Sequence, residues 1–288
     1  MRFIFKNHSN QWRAGWDILF IVAIIFMMTM TFSFMLSLRI DSVPLFESGE
    51  WVRIFKSNGL YILITVLFTV RVVQKRPLSS IGLTRLDGRR LLTGFLSGGF
   101  LLTAVVLSLW GLDSAILQGE WIAPQIDHIN ITNLIITAFM AGICEEILFR
   151  GYIQHLLTKR LTVHWAVVIT SVSFSLAHMA NTGYTWISAI NIGLLACIFS
   201  YMTIRTGSLY FSIGFHIAWN LFQGYVFGIS VSGETSQGVY PVILSGQSWL
   251  TGGEFGLEGS LLATLILGLV CVVLILIPIS RFRRINYT

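Results

Sequence analysis

Eight apolar segments of about 20 residues recur along the chain, and each is long enough to cross the hydrocarbon core of a bilayer. They are predicted at 18–38, 54–73, 91–111, 132–152, 163–182, 184–204, 208–228 and 257–279. Charged residues collect mainly in the connections, as expected when the segments are helices surrounded by lipid. The pattern predicts an all-α polytopic membrane protein. We expect a bundle of about eight transmembrane helices that forms one integral membrane domain over residues 1–288.

Composition supports this class of protein. Of the 288 residues, 55% are apolar and 11% are charged, and the mean hydropathy is +0.76. Soluble domains carry about 25% charged residues. The first segment is too long for the apolar region of a cleaved signal peptide, so we expect it to span the membrane. All three cysteines lie in apolar runs, so no disulfide framework is implied.

Charge is distributed unequally between the two sides of the predicted bundle. If the N-terminus is cytoplasmic, every Lys and Arg except Arg39, Arg53 and Lys56 falls on the cytoplasmic side. Nine acidic residues fall on the opposite side: Asp41, Glu47, Glu50, Asp113, Glu120, Asp127, Glu234, Glu254 and Glu258. An excess of Lys and Arg in cytoplasmic connections is the general rule for membrane proteins. We therefore expect a multi-pass protein with both termini cytoplasmic and no nucleic-acid partner. The bilayer setting and the absence of eukaryotic retention signals favour a bacterial plasma membrane.

Three charged residues interrupt the fourth apolar segment. Glu145, Glu146 and Arg150 lie where each charge costs roughly 2.5–3.5 kcal/mol on membrane-insertion scales, so such residues are usually functional. Glu146 and Arg150 are four positions apart and can pair on one helix face. Glu145 lies about 100° round the helix from Glu146 and has no partner there. Glu145 is therefore the candidate general base.

Two further predicted helices carry polar residues that lipid disfavours. The fifth segment contains Phe174 and His178, and the seventh contains His216 and Asn220. Each pair is four positions apart and shares a helix face. We expect the polar faces of the three helices to meet around one interior cavity. A carboxylate, two imidazoles and an amide can together activate water and stabilise an oxyanion.

These motifs carry a family resemblance. Glu-Glu-x-x-x-Arg at 145–150, Phe-x-x-x-His at 174–178 and His-x-x-x-Asn at 216–220, in this order, resemble the CPBP family. Its members are CAAX-protease and bacteriocin-processing intramembrane peptidases, related to the type II CAAX prenyl endopeptidase. The resemblance covers about residues 130–225, the expected catalytic core. It includes Gly151 after Arg150 and Thr206-Gly-Ser-Leu209 before the last motif.

The resemblance implies a function and a role for each residue. The expected activity is hydrolysis of a peptide bond in a membrane-anchored or hydrophobic peptide by an intramembrane endopeptidase. Glu145, assisted by His178, would act as general base on a water molecule, and His216 and Asn220 would stabilise the tetrahedral oxyanion. Glu146 and Arg150 would hold the site together. Phe174 is expected to be a packing residue or a wall of the pocket.

The cofactor requirement has two alternatives. We expect no cofactor, with a glutamate-activated water as the nucleophile. Because the family has also been called metalloproteases, zinc bound by Glu145, His178 and His216 is the alternative. The His-Glu-x-x-His motif of many zinc proteases is absent, and these three candidate ligands come from three separate helices.

The same motifs are compatible with two other functions. A non-catalytic membrane immunity or sorting protein would use the cavity to bind a peptide such as a bacteriocin. A transporter would use Glu145 and the histidines as a proton relay, but it predicts internal repeats and broken helices that the sequence does not display. The sequence leaves the oligomeric state open.

Three structural questions also remain at this point. Gly94-x-x-x-Gly98 predicts a close helix contact, and the glycine-rich stretch 230–260 predicts either a lid or re-entrant loop or a plain flexible connection. Glu145 lies in the inner half of its segment, whereas His178 lies near the outer end of its own. The resulting mismatch of about 10 Å in depth requires tilted helices, a longer fourth helix or different boundaries.

Overall fold

The protein is mostly helical. The computed structural model describes residues 14–37, 39–40, 43–44, 58–127 and 129–277, and 71% of these described residues are helical. Within these residues, long helices coincide with the eight predicted apolar segments. They are α1 (Ala14–Ser37), α2 (Asn58–Phe68, continued by a π-helix over Thr69–Val73), α3 (Gly88–Gly111), α4 (Ile131–Thr158), α5 (Val163–Ala177), α6 (Trp186–Thr206), α7 (Tyr210–Asn220, continued by a π-helix over Leu221–Val226) and α8 (Leu261–Leu276).

The outer surfaces of these helices are apolar. Among the described residues, α3, α4 and α6 are long and apolar enough to cross a bilayer, whereas α1, α2, α5 and α8 contain shorter apolar helices. The number of eight crossings therefore stays a prediction. Large exposed apolar side chains lie along α3, α5 and α8: Leu92, Leu96, Phe100, Leu107, Val168, Val172, Leu176, Leu265, Leu269 and Val272. Soluble monomers rarely expose apolar surface on this scale, so the chain is a membrane protein.

Short strands and turns form the connections. β1 (Arg39–Ile40) pairs antiparallel with β2 (Val43–Pro44), and β3 (Ala115–Leu117) pairs antiparallel with β4 (Val242–Leu244), with Ile116 opposite Ile243. The glycine-rich stretch before α8 contains β4, a helical turn at Ser248–Thr251 and 3₁₀ turns at Gly253–Phe255 and Leu257–Gly259. Another 3₁₀ turn, Leu78–Ile81, lies between α2 and α3.

The closest helix contact joins α3 to α7. A Cβ atom at Gly94 would lie 2.0 Å from the carbonyl oxygen of Phe211, and one at Gly98 would lie 2.4 Å from that of Phe215. On the facing helix, a Cβ atom at Gly214 would lie 2.1 Å from the carbonyl oxygen of Leu91. The missing side chains let the two backbones touch, as predicted from Gly94-x-x-x-Gly98. This contact fixes α7, which carries His216 and Asn220.

The fourth and fifth helices differ in length from their predicted segments. The predicted segment 132–152 ends too early, because α4 continues to Thr158. Gln154 and His155 prolong it because both are buried with partners: Gln154 donates to the carbonyl of Ser200, and His155 contacts Arg76. The predicted segment 163–182 ends too late, because α5 stops at Ala177. The longer α4 accommodates the predicted mismatch in depth.

Some charges used for the predicted topology lie outside the described residues. They are Arg2, Lys6, Arg13, Asp41, Glu47, Glu50, Arg53, Lys56, Arg281, Arg283 and Arg284.

Candidate active site

Glu145 and His178 approach each other from different helices. Glu145 lies near the middle of α4, and His178 follows the last residue of α5. Nε2 of His178 is 3.9 Å from Oε2 of Glu145, and the two side chains are 15% and 25% exposed, respectively. Oε2 of Glu145 is buried without a hydrogen-bond partner among the described residues. The structure thus brings together the predicted base and the histidine predicted to assist it.

The orientation of the His178 ring follows from its other nitrogen. Nδ1 lies 2.9 Å from the carbonyl oxygen of Phe174. A carbonyl oxygen only accepts hydrogen bonds, so Nδ1 carries the hydrogen and donates it. In the neutral ring, Nε2 is therefore an acceptor on the side of Glu145. Nε2 of His178 can therefore accept a hydrogen bond from a water molecule.

Glu146 lies at the centre of a buried polar cluster. Its Oε1 accepts hydrogen bonds from Nη1 of Arg150 at 2.7 Å and from Nδ1 of His216 at 3.2 Å. The side chains of Glu146 and Arg150 are both fully buried. The pair predicted from the spacing of α4 is present, whereas the contact with His216 of α7 was not predicted. Because Nδ1 of His216 faces a carboxylate, Nε2 is the ring nitrogen left for a ligand.

Phe174 packs against Arg150 and both histidines of the site. Its ring centroid lies 4.2 Å from the guanidinium carbon of Arg150, 4.8 Å from the ring of His178 and 6.1 Å from the ring of His216. Phe199 contacts Arg150 at 5.1 Å on the other side. Contacts between a buried cation and aromatic faces stabilise by about 2 kcal/mol or more when the groups are desolvated. Phe174 therefore holds Arg150 and both histidines in place.

Asn220 is held by a carbonyl group of α4. Its Nδ2 donates to the oxygen of Thr137 at 2.9 Å and thereby uses one of its two amide hydrogens. Thr137 belongs to a π-helical stretch, Ile135–Met140, and a second one, Ile147–Ile153, follows Glu146. Single π-helical turns occur often at functional sites. They change which residues of α4 share a face, so both carboxylates point into the bundle.

A cavity of about 290 Å³ joins these residues. Glu145, His178, His216 and Asn220 all line it, whereas Glu146, Arg150 and Phe174 are not among its lining residues. The remaining lining residues come from α2, α4 and two connections: Gly59, Ile62, Ile136, Thr137, Met140, Ala141, Cys144, Asn181, Val231, Ser232 and Glu234. The four predicted catalytic residues share one chamber, and the three predicted supporting residues lie behind them.

Comparison with known proteins agrees with this arrangement. Residues 127–222, about a third of the chain, match a family model described as "Type II CAAX prenyl endopeptidase Rce1-like". This segment is Rce1-like. The predicted resemblance is confirmed over this segment, which contains every predicted site residue.

One curated relative extends the comparison beyond the Rce1-like segment. The chain is 28% identical over 187 residues to "Uncharacterized protein YyaK" of Bacillus subtilis (strain 168). The alignment covers 61% of this chain and 61% of the relative.

The side chains of the Rce1-like segment do not assemble a zinc site. Within residues 58–127, 129–277 and the other described parts, no group of three or more His, Cys, Asp and Glu side chains is placed to hold a metal ion. Nδ1 of His216 is engaged by Glu146, and Nδ1 of His178 is engaged by a backbone carbonyl, so only Nε2 of each ring could bind a metal ion. The described side chains therefore do not fit a zinc ion, and the proposed mechanism has no step through zinc.

A buried acid outside the Rce1-like segment was not predicted as part of the site. Glu258 is 2% exposed, and it accepts hydrogen bonds from Nε2 of Gln223 at 2.5 Å and Nε1 of Trp219 at 3.4 Å. Burial raises the pKa of this carboxyl, which lies in the connection before α8. Trp219 precedes Asn220, so Glu258 supports the part of α7 that lines the cavity. No sequence pattern indicated this role, because an acidic residue in a connection usually faces water.

Proposed function

We propose that this protein is an intramembrane endopeptidase that hydrolyses a peptide bond in a membrane-anchored or hydrophobic peptide without a metal. The observation that supports the proposal is the approach of Glu145 and His178 across a chamber that His216 and Asn220 also line. The chain would reside in a bacterial plasma membrane and cross it eight times. The lipid bilayer and the peptide are its expected partners.

The first step is activation of water. A water molecule between Glu145 and His178 gives one proton to the Glu145 carboxylate, and its oxygen bonds to the carbonyl carbon of the substrate. Nε2 of His178 accepts a hydrogen bond from the same water and orients it. Proton transfer to a positioned side chain typically contributes about 10²–10⁴-fold to the rate.

The next step is stabilisation of the charge that forms on the substrate oxygen. The remaining amide hydrogen of Asn220 and Nε2–H of His216 would donate to this oxyanion. For His216 to donate there, its ring must carry a hydrogen on both nitrogens, and the Glu146 carboxylate accepts the one on Nδ1. The C–N bond then breaks as Glu145 returns its proton to the leaving amine. The products are a carboxylic acid and an amine.

A comparison of membrane peptides tests the proposal. Cells expressing the native chain are compared with cells expressing Glu145→Gln, which preserves the shape of the side chain and removes the base. We expect cleavage products that occur with the native chain to be lost in the variant at equal protein level. Unchanged products, together with retained protection against a peptide toxin, would instead support an immunity protein that binds its peptide. Treating the purified protein with a chelator tests zinc separately, and we expect activity to persist.

A further inference from the structure

The two ends of the helix bundle carry opposite charge. One end, formed by residues 71–90, 155–163 and 205–210, is held together by bonds from Leu209 N–H to the carbonyl of Gly82 and from the Tyr210 hydroxyl to that of Thr84. We name it the basic end. It contains Arg71, Lys75, Arg76, Arg85, Arg89, Arg90, Lys159, Arg160 and Arg205, and one acid, Asp87.

The opposite end carries mainly acidic side chains among the described residues. Residues 111–127, 129–131, 177–185 and 226–260 form it, and β3 pairs with β4 here. Asn181 also joins two of its connections by donating to the carbonyl of Ser232 at 2.9 Å. We name it the acidic end. These described residues include no Lys or Arg, but they include Asp113, Glu120, Asp127, Glu234, Glu254 and Glu258.

The catalytic cavity reaches the acidic end. His178 lies at the end of α5, within the acidic end. The connections of the acidic end also contribute lining residues to the cavity: Asn181, Val231, Ser232 and Glu234. None of the residues that line the cavity belongs to the basic end. Glu234 is exposed, so the lining continues to the surface. The mouth of the chamber therefore lies among the connections of the acidic end.

We infer that the chamber opens to the non-cytoplasmic side of the membrane. Lys and Arg concentrate in cytoplasmic connections, so the basic end faces the cytoplasm and the acidic end faces away from it. This orientation also defines the class of substrate, and that conclusion rests on the proposed function. The scissile bond lies in the segment of a membrane-anchored peptide that emerges on the non-cytoplasmic side.

Cysteine labelling tests the opening without any assay of activity. Ser232→Cys places a thiol at the mouth, Thr235→Cys places one on the exposed surface of the acidic end, and Ser79→Cys places one on the basic end. A membrane-impermeant maleimide is applied to right-side-out and inside-out membrane vesicles that contain the full chain. The native chain, with its three cysteines, provides the background.

Each labelling result decides the question. We expect Ser232→Cys and Thr235→Cys to react in right-side-out vesicles, and Ser79→Cys to react only in inside-out vesicles. The reverse pattern would overturn the inferred orientation. Labelling of Thr235→Cys but not of Ser232→Cys in right-side-out vesicles would overturn the opening at this end.

The position of cleavage tests the substrate class. New peptide N-termini that depend on Glu145 are mapped in membranes of cells with the native chain and the Glu145→Gln variant. We expect these termini on the non-cytoplasmic flank of membrane anchors, and termini on the cytoplasmic flank would contradict the inference. If labelling follows the expected pattern but no termini depend on Glu145, the proposed protease activity fails while the outward opening stands.

Discussion

Oε1 of Glu146 accepts hydrogen bonds from both Arg150 and His216, so one carboxylate links the ion pair of α4 to the imidazole of α7. Among the described residues, Oε2 of its neighbour Glu145 has no hydrogen-bond partner, and this side chain faces the cavity. Two adjacent residues of the same chemical type therefore have different environments. The first is suited to positioning, and the second is suited to proton transfer.

Loss of Arg150 should destabilise the fold. Arg150→Gln leaves the buried carboxylate of Glu146 without its guanidinium partner, and breaking a buried pair in this way costs about 3–5 kcal/mol. We expect a clear decrease in the thermal unfolding temperature of the purified protein in detergent. Lys159→Gln, at an exposed basic residue just after α4, is the matched control and should unfold near the native temperature. Equal unfolding temperatures for the two variants would refute a stabilising role of the buried pair.

Asn220 should affect the chemical step more than binding. Removal of one oxyanion donor typically lowers kcat by about 10²–10³-fold. We expect this decrease in Asn220→Ala with little change in KM, measured on a peptide that the native chain cleaves. Gln237→Ala removes an exposed amide of the acidic end and should leave kcat near the native value. A rise in KM with unchanged kcat in Asn220→Ala would assign this residue to substrate binding instead.

The contact between α3 and α7 should not tolerate a methyl group. Gly94→Ala would place Cβ 2.0 Å from a backbone oxygen, and such overpacking costs typically about 1–3 kcal/mol. Gly268→Ala on α8 meets nothing within 4 Å and should instead stabilise the helix by about 0.5–1 kcal/mol. Thermal unfolding of the two variants should therefore shift in opposite directions. A native unfolding temperature for Gly94→Ala would show that the backbones are not in contact.

Glu258 should make stability depend on pH. Because burial raises the pKa of this carboxyl in the folded state, the folded protein binds the proton more tightly than the unfolded chain. The stabilisation is fully present below the ordinary Glu pKa of about 4.3 and is lost as pH rises through the raised value. Glu258→Gln removes the titrating group, so we expect a flatter plot of unfolding temperature against pH. Parallel plots for the native chain and the variant would contradict a raised pKa.

The sequence contained more information about groups on one helix than about contacts between helices. The four-residue spacing of Glu146 and Arg150 predicted their pairing because helical geometry alone decides it. The contact of His216 with Glu146 depends on how α4 and α7 are rotated against each other. The π-helical turns of α4 change that rotation, and no residue pattern in the sequence predicted these turns.

Burial of polar side chains explains the remaining differences. The predicted fourth segment ended at residue 152, yet Gln154 and His155 are buried and extend α4. His178 was expected within a helix, but it follows the last residue of α5 and its Nδ1 bonds the carbonyl of Phe174. Glu258 resembled a solvated acid because its donors, Trp219 and Gln223, are distant in sequence. Such partners are set by tertiary packing, which hydrophobic periodicity does not encode.

The central claim is that Glu145 is the base that activates water. The most direct measurement is the rate at which purified Glu145→Gln cleaves a peptide that the native chain cleaves, with equal unfolding temperatures showing that both are folded. We expect the rate to decrease by about 10²–10⁴-fold, because the amide cannot accept the proton. A rate close to that of the native chain would contradict the proposed mechanism.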